Sequence, residues 1–520
     1  MSSDPRVHAR RWWILSVLCL SLLIITLDNT ILNVALPTLV RDLHASASQL
    51  EWIVDAYVLV FAGLLLTCGS LGDRLGRKRA LVTGMLVFGV FSIMAGFSSS
   101  AGQLIAARAL MGIGAAIIMP STLSILTNVF PDDERAKAIG IWAAVSGLGI
   151  PLGPVIGGWL LEQYAWGSIF FANLPIVALT IVSGLILIPE SRDPRPARLD
   201  PPGAMLSIAG LAVLLYAIIE APARGWTEQR ILLSFVVAVV LLILFVFWER
   251  RSSHPMLDVG LFKNLRFTAA SAALMLNFFA LLGTTFFLTQ YLQFVLGFST
   301  LQAGVRMIPI AVGIAVAAPL SARLAERFGS KLIVACGLTV VALGVGTFAL
   351  ATADSSYGLV FIAMLIGGLG MGLSITPATD SVMGAVPKEN AGVGSAMNDT
   401  TRQVGGALGV AVLGSLLSTS FSSHIADFAT GLPDTQAALV RNSVGYAAQV
   451  AGQLGGEQGQ SLLTSANSAF VHAINTTALA GGAVALLGAL IALAFLPARS
   501  RRGEQNERGI AEARADAAAD

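Results

Sequence analysis

Long apolar segments recur along the whole chain and limit the folds that are open to it. Fourteen runs of about 17 to 25 mostly apolar residues, separated by turn residues or charges, occur within the 520 residues. About 20 apolar residues in a helix cross the hydrocarbon core of a bilayer. Only 12% of the residues are charged, whereas about a quarter are charged in soluble proteins. The sequence therefore predicts an all-α integral membrane protein and excludes a soluble enzyme.

Lys and Arg are unevenly divided between the two ends of these predicted helices. If the N-terminus is cytoplasmic, 26 of the 32 basic residues lie in inward segments, 5 lie in outward segments, and Arg108 lies within a run. Cytoplasmic loops of membrane proteins carry an excess of Lys and Arg. We therefore expect a multi-pass protein of the cytoplasmic membrane with both termini in the cytoplasm, which requires an even number of spans.

Two loops repeat the same pattern. The loop from Leu71 to Lys78 and the loop from Leu324 to Lys331 have an acid, an Arg, a Gly and a Lys in register at a shift of 253 residues. Internal repeats of this kind are typical of secondary transporters, whose substrate site lies between the two halves. The repeat predicts a six-helix N-terminal bundle, an extra helix pair, a six-helix C-terminal bundle with a long outward loop, and a cytoplasmic tail. The N-terminal bundle spans 12–189 and the extra pair 203–248. The C-terminal bundle spans 268–497, with the loop at 421–470, and the tail spans 498–520.

Several classes of function have no support in the sequence. The net charge of +2 predicts no bulk attraction to nucleic acid. The three cysteines lie in apolar runs and the five histidines are scattered, so neither has the spacing of a metal site. No phosphate-binding loop or nucleophile motif occurs. We therefore expect no catalytic residues, no metal and no cofactor.

Four stretches combine spaced glycines with polar residues. The first basic loop contains Gly69, Leu71, Gly72, Asp73, Arg74, Gly76, Arg77 and Lys78, and the fifth run contains Gly140, Gly149, Gly153, Pro154, Gly157 and Gly158. The first run contains Leu27, Asp28, Thr30, Asn33, Ala35, Leu36 and Pro37, and the thirteenth contains Asn398, Arg402, Gln403, Gly405, Gly406 and Gly409. These motifs resemble those of the major facilitator superfamily, and specifically its fourteen-span drug:proton antiporter subfamily. The resemblance covers residues 12 to 497 and implies a fold of two pseudo-symmetric six-helix bundles.

Three charged residues in the predicted spans are candidates for proton coupling. Asp28 lies about two-thirds of the way across the first span, and the resemblance implies that this position couples protons and recognises cationic substrates. Arg108 in the fourth span needs an anion or carbonyl groups, and Asp28 is the partner that we expect. Asp55 lies one turn inside the second span, where a carboxyl can stay hydrated, and we assign it a secondary contact with protons or cations. A purely structural ion pair is the alternative for Asp28 and Arg108.

Two motifs predict conformational elements. In the loop that begins near Gly69, Gly72 and Gly76 permit a tight turn, and Asp73 can accept hydrogen bonds at a helix N-terminus. Arg74 and Arg77 can pair with acids. We expect this loop to act as a latch that holds one side of the transporter shut; basic residues that only set topology are the alternative. Gly149, Gly153 and Gly157 form a smooth ridge beside Pro154 and Gly158, where another backbone can approach closely. The resemblance implies that the ridge seals against leakage; plain packing is the alternative.

The candidate substrate cavity combines aromatic and amide side chains. The first span supplies Asn33. The ninth span supplies the others, which are Asn277, Phe279, Phe286, Phe287, Gln290 and Tyr291. Such a mixture suits a large hydrophobic or cationic ligand through stacking and cation–π contact. The face of the first helix that lines the cavity stays open, because Asp28 lies nearly opposite the stripe of Thr26, Asn29, Thr30 and Asn33.

These features together predict a proton-coupled multidrug efflux antiporter that works by alternating access. Its expected partners are hydrophobic, in particular cationic, small molecules, protons and membrane lipid, and we expect a monomer. A dedicated exporter of one antibiotic, lipid or other metabolite on the same fold is the alternative.

Overall fold

The computed structural model describes residues 5–192, 200–252, 255, 259–353, 355–386, 391–429 and 432–497, so the predicted tail at 498–520 lies outside the described part. The first half of the chain forms seven helices, which are α1 (Pro5–Leu43), α2 (Ala47–Leu75), α3 (Arg77–Gly96), α4 (Ala101–Val129), α5 (Asp132–Gln163), the short α6 (Ser168–Phe171) and α7 (Asn173–Leu187). Two further helices, α8 (Pro201–Arg224) and α9 (Gln229–Arg251), follow and pack along each other.

The second half begins with a 3₁₀ turn at Val259–Lys263 and continues through nine helices. These are α10 (Leu265–Gln290), α11 (Thr300–Arg306), α12 (Ile308–Phe328), α13 (Ser330–Thr347), α14 (Tyr357–Gly384), α15 (Ala391–Ala429), α16 (Asp434–Asn442), α17 (Val444–Leu454) and α18 (Gly456–Phe495). A π-helical turn at Tyr291–Val295 extends α10. Wherever the structure describes the chain, regular secondary structure is helical.

Thirteen described helical stretches are long and apolar enough to cross a membrane. The one predicted span that is absent from these thirteen is the fifth, which corresponds to α5; this helix has 32 residues and therefore sufficient length. The extra pair is the most peripheral part, since α9 exposes large apolar side chains such as Ile243 and Phe247 over about half their surface. Exposed apolar side chains on a spanning helix suit contact with lipid. The chain is an integral membrane protein.

The predicted long loop at 421–470 is largely helical. Helix α15 continues to Ala429 and α18 begins at Gly456, so the connection shortens to the stretch that holds α16 and α17. Helix α17 buries Val444, Tyr446 and Val450. The sequence of this stretch is rich in Gly, Ser and Gln, and burial of this apolar face compensates for the low helix propensity of Gly and Ser.

The turns between α2 and α3 and between α12 and α13 share one unusual backbone conformation. Gly76 has φ 119° and ψ 126°, and Gly329 has φ 86° and ψ 149°. Positive φ values of this kind favour glycine because other residues carry a Cβ that collides with the backbone. The two glycines are 253 residues apart, which is the shift found between the two loops. The repeat in sequence is therefore also a repeat in backbone geometry.

Several helix contacts join the two halves. Helix α5 packs along α1 of its own half and along α11 of the other half. Helix α2 packs along α15, and α8 of the extra pair lies against both α2 and α15. Between α1 and the π turn, the Gln293 side-chain amide donates to the Val34 carbonyl at 3.0 Å. These contacts form the interface between the two halves.

Candidate functional site

An ion pair between Asp28 of α1 and Arg108 of α4 lies inside the N-terminal half. The Arg108 Nη1 group donates to Asp28 Oδ2, and neither residue is exposed. Arg108 Nε also donates to the Ile53 carbonyl of α2 at 3.2 Å, and the guanidinium lies 4.3 Å from the centre of the Tyr57 ring. The arginine therefore connects α1, α2 and α4. A charge in this position needs such partners because the surroundings offer no water-like solvation.

The second oxygen of Asp28 is held from α7. Asn173 Nδ2 donates to Asp28 Oδ1 at 3.0 Å and to Ser92 Oγ of α3, also at 3.0 Å. The Ser92 hydroxyl in turn donates to the Phe170 carbonyl at 2.9 Å. Helices α1, α2, α4 and α7 thus contact the two charges of one ion pair directly, and these contacts fix the Asp28 carboxylate in one orientation.

Three polar atoms at the ion pair have no hydrogen-bond partner among the described residues. They are Arg108 Nη2, Asn173 Oδ1 and the Tyr57 hydroxyl oxygen. Buried polar atoms normally have partners, and exceptions often occur at functional sites. The group therefore has unused donor and acceptor capacity beside a carboxylate that can bind a proton.

The two faces of α1 have different neighbours. Asp28 points into the N-terminal half, whereas Thr26 and Thr30 lie against α5. The Asn33 amide donates to the Asn29 carbonyl of its own helix at 3.2 Å, and Asn33 is buried. The polar stripe on α1 is thus mainly a packing surface for α5, and the carboxylate occupies the opposite face.

Glycines let α5 approach two other helices closely. The Thr30 hydroxyl donates to the Gly149 carbonyl at 2.9 Å, and a methyl group at Gly153 would collide with the Thr30 side chain. At Gly158, a methyl group would collide with the backbone of α11 at Thr300 and Leu301. Near the same contact, Glu162 accepts hydrogen bonds from the Ser299 hydroxyl and from the Leu301 amide. The ridge, which also includes Gly157 and Pro154, therefore contacts both halves.

Two further acids are buried one turn apart in α2. Asp55 is fully buried, and neither of its carboxylate oxygens has a hydrogen-bond partner among the described residues. The expectation that Asp55 stays hydrated near the interface is therefore wrong, because helix packing leaves this side chain no exposed surface. Glu51, which the sequence analysis missed, is also buried and accepts a bond from Ser415 Oγ of α15 at 3.4 Å. This acid lies at the contact between the halves.

The aromatic and amide residues of α10 do not share one cavity. Asn277 donates to Ser374 Oγ of α14 inside the C-terminal half. Phe287 and Tyr291 also lie inside the C-terminal half. The Phe287 ring packs against Phe348, with 6.0 Å between the ring centres. The Tyr291 hydroxyl donates to the Thr352 carbonyl at 3.3 Å. Consecutive residues of a helix are rotated by about 100° around its axis, so the side chains of Phe286 and Phe287 point in different directions.

Two of the remaining α10 candidates lie at the contact with the other half, whereas Phe279 lies within its own half. Phe286 and Gln290 line a small cavity of about 20 Å³ together with Glu51. Phe279 is buried, and its backbone lies against Gly409 of α15. Of the predicted cavity residues, only Phe286 and Gln290 thus lie beside a buried acid at the contact between the halves.

A profile of the Major Facilitator Superfamily matches residues 18–410. The chain belongs to this superfamily. The "Multidrug efflux pump LfrA" of Mycolicibacterium smegmatis is 39% identical over 94% of this chain and 97% of its own length. The "Tetracenomycin C resistance and export protein" of Streptomyces glaucescens is 32% identical over 97% and 94%, and the "Methyl viologen resistance protein SmvA" of Salmonella typhimurium is 34% identical over 95% and 99%. These similarities place the transporter in the drug:proton antiporter family.

Solved structures show the same fold. A bacterial homologue of the human lysosomal transporter Spinster, in an inward-facing and unoccupied conformation, superposes with a TM-score of 0.66 at 18% identity, over 95% of this chain and 98% of that one. A POT family transporter in complex with 5-aminolevulinic acid gives a TM-score of 0.61 at 15% identity, over 94% and 96%. At these identities the likeness concerns the fold alone.

The basic loop of this superfamily member is fastened to its own half. Arg77 donates from its amide to the Ser191 carbonyl at 2.9 Å and from its side chain to the Ser124 carbonyl at 3.2 Å. Lys78 donates to the Leu185 carbonyl at 2.7 Å, and Arg79 pairs with Glu190 at 3.5 Å. Arg74 is exposed, and the Asp73 side chain lies outside the described part. The described partners of the loop therefore lie near the end of α7 and in α4 of the N-terminal half.

Sequence reasoning missed several partners in this transporter. Asn173, Ser92 and Tyr57 surround the ion pair, and Glu51 lies at the contact between halves. Each is a single polar or aromatic residue within an apolar run. A search for buried polar residues on several predicted spans would have flagged Asn173 and Glu51, but their common neighbours follow only from the packing.

Proposed function

We propose that this transporter exports hydrophobic and cationic compounds across the cytoplasmic membrane in exchange for protons. The observation that carries the proposal is the buried Asp28 carboxylate, which is held by Arg108 and Asn173. The names of the relatives support export of drugs, and methyl viologen, which one name cites, is a dication. The unequal division of Lys and Arg supports termini in the cytoplasm.

Proton binding at Asp28 would change the contacts among four helices. When the carboxylate takes up a proton, it becomes neutral and its ion pair with Arg108 is lost, although one hydrogen bond can remain. Arg108 stays charged at every physiological pH, so it would then rely more on its other acceptors. One of these is the carbonyl of Ile53, which it already contacts. The positions of α1 and α4 would follow, and loss of the proton would restore the pair.

The movement of α1 would reach the other half through α5. Helix α5 packs on α1 through Gly149 and Gly153 and on α11 through Gly158. The contacts of Gln293 with Val34 and of Glu162 with Leu301 lie on the predicted outer side. They support a state that is closed to the outside, which must open to release substrate. Asp55 and Glu51 would contact protons or cations at the second contact between halves.

The proton-motive force supplies enough energy for this exchange. For a neutral substrate exchanged for one proton, a membrane potential of 100 mV yields about 2.3 kcal/mol, which supports roughly a fifty-fold concentration gradient. Exchange of a monovalent cation for one proton moves no net charge, so the pH gradient alone drives it. The protein is proposed to act as a monomer surrounded by lipid.

A dedicated exporter is a second candidate, because one relative is named for resistance to and export of tetracenomycin C. The two proposals differ in the breadth of substrates. A broad exporter should move unrelated lipophilic cations and neutral drugs, whereas a dedicated exporter should move one structural class.

Transport by purified protein in proteoliposomes tests both proposals. The pH gradient and the membrane potential are imposed independently, against a panel of lipophilic cations and neutral drugs. We expect accumulation to depend on the pH gradient for several unrelated compounds. Transport of no compound under any imposed gradient would contradict the proposal.

A further inference from the structure

A sizeable cavity lies at the extra helix pair. Its volume is about 330 Å³, and its walls come from α2, α8, α9, α10, α15 and the 3₁₀ turn before α10. None of the fifteen described residues that line it belongs to α1, α4, α5 or α14, so it is separate from the Asp28 site. A volume of this order is typical of sites for drug-sized molecules.

The cavity lies in the predicted inner half of the membrane. Thr268 and Ser271 are in the first two turns of α10, Thr400 is near the start of α15, and Phe245 is near the end of α9. All of these helix ends are predicted to be cytoplasmic. Helix α9 forms the outermost wall, since its residue Leu242 lines the cavity and its residue Leu244 is 46% exposed. One helix therefore separates the cavity from the inner leaflet.

The walls are apolar apart from hydroxyl groups. None of the described lining residues is charged. Ser271, which is 4% exposed, and Thr400 have hydroxyl oxygens without a hydrogen-bond partner among the described residues. Ser and Thr in helices usually bond a carbonyl of the preceding turn, as Thr30 and Thr285 do here. The Ser271 and Thr400 hydroxyls are therefore free to donate to a ligand.

The cavity also crosses the contact between the moving halves. Ala62 and Gly63 come from α2 of the N-terminal half, whereas Ser271 and Thr400 come from α10 and α15 of the C-terminal half. Helix α8 fills the gap between them, with Ile208 against Gly63. When the halves move, the distance across this cavity must change, and so must its affinity for a ligand.

We propose that this cavity is an access site for export substrates that arrive from the inner leaflet. It would take apolar molecules that are neutral or carry a delocalised charge, with a hydrogen-bond acceptor that meets Ser271 or Thr400. The extra helix pair thereby gains a role, as the outer wall of this site. The inference rests on the proposed export function.

Two tryptophan substitutions on α9 test the site. Leu242→Trp narrows the cavity, and Leu244→Trp, two residues away on the exposed face, is the matched control. The probe is rhodamine 6G, a lipophilic cation with delocalised charge and an ester carbonyl, bound to purified protein in lipid nanodiscs and measured by fluorescence polarisation. We expect at least tenfold weaker binding for Leu242→Trp and unchanged binding for Leu244→Trp. Ala272→Leu, which fills the cavity from α10, should give the same loss.

Transport in proteoliposomes separates failure of this site from failure of the export function. Leu242→Trp should raise the KM for rhodamine 6G. The KM for methyl viologen should stay unchanged, because this hydrophilic dication reaches the protein from water. If wild-type protein moves rhodamine 6G and both Leu242→Trp and Ala272→Leu bind and move it equally well, the access site is refuted and export stands. The site is also refuted if rhodamine 6G does not bind to the wild-type protein. It is likewise refuted if a phospholipid chain occupies the cavity and rhodamine 6G does not displace it. A wild-type protein that moves no compound refutes the export function itself.

Discussion

The carboxylate of Asp28 and the guanidinium of Arg108 form an ion pair that has no exposed surface, and Asn173 holds the second oxygen of the carboxylate at 3.0 Å. A charge pair buried in this way is costly to form and is weak evidence for stability. Its position among four helices suits a group whose charge changes during transport. The first two predictions test this group.

The Asp28→Asn transporter should lose export driven by a pH gradient. An amide has nearly the shape of the carboxyl group but cannot exchange a proton, so coupling should fall by at least tenfold. Transport of a lipophilic cation into everted vesicles, with the pH gradient alone imposed, measures the effect. Asp380→Asn is the control, because Asp380 near the end of α14 is exposed. Undiminished export by Asp28→Asn would remove this residue from the coupling mechanism.

Stability should reveal whether the two charges act as one unit. Asp28→Asn leaves the buried Arg108 without its anion, which costs about 3–5 kcal/mol. Adding Arg108→Gln removes that lone charge, so the double variant should be more stable than Asp28→Asn alone. Thermal unfolding of the purified variants measures this coupling. If the two losses simply add, the residues are energetically independent.

The glycine turn after α2 should be sensitive to added side chains. Gly76→Ala forces a Cβ into a backbone with φ 119°, at a cost of about 1–3 kcal/mol, and the methyl group would lie 2.5 Å from Glu190 Oε1. Gly225→Ala is the control, with φ 104° and nothing within 4 Å. We expect both variants to unfold at lower temperature, and only Gly76→Ala to reduce transport as well. Equal effects on transport would show that the contact with Glu190 is unimportant.

Enlarging Gly158 should weaken the contact between α5 and α11. Gly158→Leu would push against the backbone of Thr300 and Leu301, so the predicted outer side should open more often. Thr300→Cys, in a background without the three native cysteines, reports this opening through faster labelling by a membrane-impermeant maleimide. Gly102→Leu is the control, because nothing lies within 4 Å of a methyl group there. Slower labelling would contradict the expected opening.

Asp55 should affect substrates according to their charge. Its two oxygens have no hydrogen-bond partner among the described residues, so Asp55→Asn removes a carboxyl group that can ionise beside a cation, without breaking a described bond. We expect little loss of stability, a higher KM for cationic substrates and an unchanged KM for neutral ones. Steady-state transport of one compound of each kind measures the difference. An equal rise for both would indicate a general effect on the fold.

The sequence predicts helices and repeats more fully than contacts within the membrane. Apolar runs mark the spanning helices because length and hydrophobicity alone determine which segments cross a bilayer. Gly76 and Gly329 could be matched because a turn with positive φ requires a specific residue type. The pairing of Asp28 with Arg108 could be expected because few intramembrane groups can neutralise an arginine.

The directions of side chains could not be read from the same pattern. Phe286 and Phe287 are adjacent in sequence, yet one faces the other half and the other lies inside its own half. A spanning helix is apolar on every face, so hydrophobic periodicity does not show which side meets protein. The same ambiguity concealed Asn173, whose partners come from α1 and α3.

The glycine ridge of α5 has a mechanical consequence. Thr30 meets the ridge two residues after Asp28 on α1, and α11 meets it farther along at Gly158. Because glycines bring the α5 backbone directly against α1 and α11, we expect a displacement of α1 to be passed on to α11 with little loss. Under the proposed mechanism, proton binding in one half would thereby alter the helix contacts of the other half.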